Sequence, residues 1–95
     1  MFEPNEVLQV STGRGSVSAE GIAPVKVRYK LVVERRAGTV LAHGTLAGTH
    51  AALRPIWLTP DATLHLKTGR TVAISVTDLS GDVADFEGTE PVMPG

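Results

Sequence analysis

Residues 25–34, Val-Lys-Val-Arg-Tyr-Lys-Leu-Val-Val-Glu, alternate between an apolar row (Val25, Val27, Tyr29, Leu31, Val33) and a polar row (Lys26, Arg28, Lys30, Glu34). A period of two held over ten residues is the signature of a strand with one buried face. The short segment Arg35-Arg36-Ala37-Gly38 contains a glycine and reads as a turn. Residues 39–47 then return as the second arm of a hairpin. A second hairpin follows the same rule. Residues 63–67 alternate, Thr68-Gly69-Arg70 turns, and residues 71–78 alternate again, with Leu64, Leu66, Val72, Ile74 and Val76 in the apolar row. A third turn at Leu79-Ser80-Gly81-Asp82 leads to a last strand, Val83–Glu87, whose inward residues are Ala84 and Phe86.

Between and around these arms the pattern weakens. Residues 11–24 are rich in glycine and serine and carry no sustained period, so they read as a flexible lead-in or long loop, with Glu6–Val10 as a short strand ahead of it. Thr49 is placed to cap a short helical turn over residues 50–54, which Pro55 should stop, because the residue before proline avoids helical angles. The tail from Gly88 holds two prolines and two glycines and should fray. The chain is therefore expected to be a single all-β domain over residues 1–95, with an ordered core from about 22 to 88 and flexible segments at 11–21 and 89–95. Its architecture is a small antiparallel barrel or a two-sheet sandwich of about five to seven short strands, the barrel being favoured because closure removes exposed edges. Leu31, Ile74 and Phe86 are the large side chains expected at its centre.

Composition narrows the function classes. Apolar residues make up 42% of the chain, enough for one core, and charged residues 20% with a formal net charge of −1. That balance excludes a strongly basic nucleic-acid protein and an acidic disordered segment as descriptions of the whole chain. There is no cysteine, which removes disulfides, thiol catalysis and cysteine-ligated zinc together. No apolar run approaches the roughly 20 residues of a membrane span. Phe2-Glu3-Pro4-Asn5-Glu6 lacks the basic start and apolar stretch of a secretory signal, so a cytoplasmic location with no membrane partner is the expectation.

Charge is unevenly distributed. Five of the six charges from Lys26 to Arg36 are positive, while from Asp78 onward there are five acids and no lysine or arginine. One explanation is structural: the closing strand lies beside the basic strand and opposite charges meet across the ladder. The other is a basic face of Lys26, Arg28, Lys30, Arg35 and Arg36 for nucleic acid. Trp57 either plugs one end of the core or marks a contact surface, since tryptophan is enriched at binding hot spots.

Chemistry-bearing motifs are sparse. His43, His50 and His65 match no metal-ligand spacing, and His43 and His65 sit on polar rows of different hairpins, so they read as solvated side chains. Residues 78–82 place oxygens at alternate positions as a calcium loop does, but Val83 and Thr89 stand where that loop needs a glycine and an acid. Gly13-Arg14-Gly15-Ser16 lacks the lysine and the strand-to-helix context of a phosphate loop. None of the serines lies in a nucleophile elbow. The expected function is accordingly non-enzymatic, without cofactor or metal: a protein-interaction or assembly module that self-associates, with nucleic-acid binding through the basic strand as the alternative, and with Lys26, Arg28, Lys30, Arg35, Arg36 and Trp57 as the partner-binding candidates.

Overall fold

The computed structural model describes residues 6–59 and 61–90. They form six strands, β1 (Glu6–Ala19), β2 (Ile22–Arg36), β3 (Thr39–Ala47), β4 (Ala62–His65), β5 (Thr71–Ser80) and β6 (Val83–Gly88), with one helix, α1 (His50–Trp57), between β3 and β4. All neighbours are antiparallel, and the order β1-β2-β3-β6-β5-β4 closes on itself into a barrel. Barrel is thus the correct architecture, and the sandwich is set aside.

Both expected hairpins are present. β2 and β3 are joined by the two residues Ala37 and Gly38, with φ of 51° and 81°. Two successive positive φ values match the right-handed twist of the flanking strands, which is why two-residue hairpin turns favour this arrangement. The apolar row of β2 faces inward as its alternation predicts, and Leu46, Leu64, Ile74, Ala84 and Phe86 complete the core from the other strands.

Residues 11–24, expected to be a lead-in or loop, instead continue β1 to Ala19, turn at Glu20-Gly21 and begin β2 at Ile22. Their inward row is Ser11, Gly13, Gly15 and Val17, set opposite Leu31, Tyr29, Val27 and Val25. Small residues hide the period because their partners fill the space. A Cβ on Gly15 would stand 2.1 Å from the carbonyl oxygen of His65, and one on Gly44 1.8 Å from that of Lys30. Neighbouring backbone crowds onto both glycines, and the rings of Tyr29 and Phe86 lie against them, as expected where glycine marks a close approach of backbone.

α1 also runs further than expected. Thr49 caps it, its Oγ1 accepting from the Ala52 N–H at 3.3 Å, but Pro55 lies inside the helix rather than ending it. Leu53 and Ile56, one turn apart, are 1% and 0% exposed. Burying two large side chains outweighs the lost backbone bond at Pro55. The helix thereby closes the barrel end formed by the β1–β2 and β5–β6 turns.

The strand order overturns one expectation about charge. β6 pairs with β3 and β5, never with β2, so the closing acids do not meet the basic strand. β3 separates them. Thr89, at the start of the expected fraying tail, donates its N–H to Ala73 at 3.0 Å, and residues 91–95 lie outside the described residues.

Candidate functional site

Three surfaces carry chemistry that packing leaves unused. The first is the outer face of the β1–β2 ladder. Arg14 stands directly opposite Arg28, Thr12 opposite Lys30 and Ser16 opposite Lys26. Along β2 the cations recur every second residue, about 7 Å apart. All four are exposed, and among the described residues none takes part in an ion pair. The adjoining outward positions, Thr45 and Ala47 on β3 and His65 and Thr63 on β4, bring no acid. The face is an unneutralised cationic patch.

Arg35 and Arg36 do not belong to it. The first pairs with Glu6 at 3.1 Å, on the opposite face of the sheet from Lys26. Arg36 holds Glu34, whose carboxylate also lies 3.2 Å from His43 Nε2. Glu34 is only 7% exposed although it falls in the polar row; Leu41 opposite it and the Arg36 and His43 side chains cover it. Trp57 lies on α1, not on either basic strand, and is 41% exposed, so it is no core plug; Leu53 and Ile56 fill that role.

The second surface is an edge. β1 pairs with β2 over its whole length but with β4 only through Ser16–Ser18. From Glu6 to Gly15 it has a strand neighbour on one side alone. Val7 and Val10 are 58% and 54% exposed there, and both lie on the outward face because a register shift at Leu8 brings them into one row. Neither lysine nor proline interrupts the edge. Closing the barrel has left part of one edge open.

The third is the outer face of β5 and β6, with Asp78 directly opposite Asp85, and Glu87 opposite Ser75. His43 faces Glu87 from β3, whereas His65 lies on β4, across the barrel. The two histidines therefore never meet, and the described residues contain no group of three metal-ligating side chains. Asp82, in the segment resembling a calcium loop, uses its carboxylate to accept the His50 N–H at 2.9 Å.

One pairing was invisible in the spacing: Ser18 Oγ lies 2.8 Å from His65 Nε2. The two sit diagonally across the β1–β4 ladder. No described carboxylate holds the other ring nitrogen and no pair of donors faces the hydroxyl, so this contact supplies a cross-strand bond without the parts of an acyl-transfer site. Compared with protein-family models, with curated proteins and with solved structures, the chain matches none. No helix among the described residues is long and apolar enough to cross a membrane.

Proposed function

We propose that this chain is a non-enzymatic assembly module that pairs with a second copy of itself along the free edge of β1. The observation that carries this reading is the open stretch from Glu6 to Gly15, with two valines exposed on it. Unpaired N–H and C=O groups in a row are a template for another strand, and natural edges are normally blunted by charge, proline or covering chain. This one has charges only near its ends, at Glu6 and Arg14, and between them, over residues 7–12, only its register shift blunts it.

A second copy fits the edge by charge. β1 carries its one acid, Glu6, at its start and its one cation, Arg14, eight residues on. Antiparallel pairing about Val10 keeps the two Glu6 ends apart and the two Arg14 ends apart, while parallel pairing would stack like ends; Glu6 and Arg14 lie on opposite faces of the sheet, so the pairing separates like charges without engaging Arg14. A net charge of −1 offers little repulsion between copies. The contact is one strand wide, which places it among weak interfaces with dissociation in the micromolar range.

Sedimentation from about 10 to 200 μM tests it, a span that brackets a micromolar equilibrium. The expected result is a mass rising toward two copies, and a monomeric mass for Val10→Glu with an unchanged far-ultraviolet spectrum. A monomer throughout, or a Val10→Glu variant that still associates, overturns the reading.

A further inference from the structure

We infer that the outer face of β1 and β2 is a binding site for the phosphodiester backbone of nucleic acid, built from Arg14, Lys26, Arg28 and Lys30 and excluding Arg35 and Arg36. The inference does not rest on self-association, because the free edge and this face are different surfaces of β1.

Directly opposed like charges destabilise a ladder, and Arg14 and Arg28 are such a pair. Lys26 and Lys30 flank Arg28 on the same face. Among the described residues no acid answers any of the four, although the chain has more acids than cations in total. Asp78, Asp85 and Glu87 lie on β5 and β6, and Glu6 and Glu34 are held by Arg35 and Arg36. A cluster that the fold leaves unneutralised, while Arg36 and His43 take up Glu34, the one acid of β2, has room for an external anion. Thr12 and Ser16 alternate with the cations across the ladder and add hydroxyl donors, which contact phosphate oxygens as readily as arginine and lysine do.

The same face identifies the kind of contact. Among the described residues it carries no aromatic ring: Tyr29 and Phe86 are 4% and 1% exposed in the core, and Trp57 is on the helix. The described face offers no platform for base stacking, the usual source of preference for single strands. Binding is therefore to the backbone, without sequence preference, and the denser charge of a duplex is favoured over a single strand.

Fluorescence anisotropy with a labelled random-sequence duplex and its separated strand, titrated with the full chain at several salt concentrations, is the experiment. Four phosphate contacts give a slope of log affinity against log salt of about −3 to −4 for the duplex. Arg14→Gln and Arg28→Gln should each weaken binding several-fold at low salt and make the slope shallower by about 1, with folding checked by circular dichroism. Arg35→Gln and Arg36→Gln should leave both quantities unchanged. The site is overturned by absence of binding at low salt, by a loss in the Arg35 and Arg36 variants equal to that in the Arg14 and Arg28 variants, or by tighter binding of the single strand. Binding of polyglutamate as tight as that of the duplex would reassign the face to acidic proteins and overturn the nucleic-acid reading.

Discussion

Gly44 faces inward from β3 with the backbone of β2 almost on top of it, and the Phe86 ring fills the space its missing side chain leaves. A methyl group there would stand 1.8 Å from the Lys30 carbonyl oxygen, and a backbone atom cannot swing away as the end of a side chain can. Gly44→Ala is expected to cost about 3 kcal/mol or more in urea unfolding. Gly21→Ala, which meets nothing within 4 Å but must hold a φ of 78°, should cost about 1 kcal/mol. Equal costs at the two positions would show that the close approach in the barrel wall is not what selects glycine. The same residue type explains what could and could not be read in advance. Leu31, Ile74 and Phe86 were legible because large apolar side chains announce the inward row, and all three are buried. Arg14 was not, because its inward neighbours Gly13 and Gly15 have no side chains with which to mark a period. Ser11, Gly13, Gly15 and Val17 alternate with Thr12, Arg14, Ser16 and Ser18, so the signal existed as small against polar rather than apolar against polar.

At the level of elements, hairpins were the legible unit: a turn and two alternating arms contain all the information that fixes their pairing. A barrel was expected, but which strands close it was not legible, because that depends on distant segments meeting, and Ser16–Ser18 pairs with Thr63–His65 over only a short ladder. The helix shows a different limit. Pro55 is a sound local stop signal, yet tertiary burial of Leu53 and Ile56 carries the helix through it. Pro55 itself is exposed, so nothing in the core requires its ring. Pro55→Ala restores an N–H donor for the carbonyl four residues back and relieves the ring's clash with it. Stability should rise by about 1–3 kcal/mol, read as a higher urea midpoint at unchanged slope. A lower midpoint would mean that the rigidity proline gives the unfolded chain outweighs the strain it brings to the helix.

Once the ion pairs of Glu6 and Glu34 are set aside, the strand charges are divided by architecture across the whole molecule: cations on the β1–β2 wall, acids on the β5–β6 wall, and β3 between them on one side. Two strand spacings separate Lys30 from Asp85, about 10 Å, a distance at which exposed charges are largely screened at ordinary salt. The nearer charge is Asp78, directly opposite Asp85 on the neighbouring strand, and both are exposed. This reverses the sign of a charge reversal. Had β6 lain beside β2, Asp85→Lys would have set like charges together and weakened the fold. With Asp78 as its partner, the new lysine replaces a repulsion by an attraction, and stability should increase by about 0.2–1 kcal/mol. The increase should shrink in high salt, since the pair is exposed. Urea unfolding of the variant at low and high salt reads both effects. A loss of stability would mean that Asp85 reaches the basic strand across β3, so that the fold already neutralises part of the cationic face; a gain leaves that face unneutralised and open to a phosphate backbone.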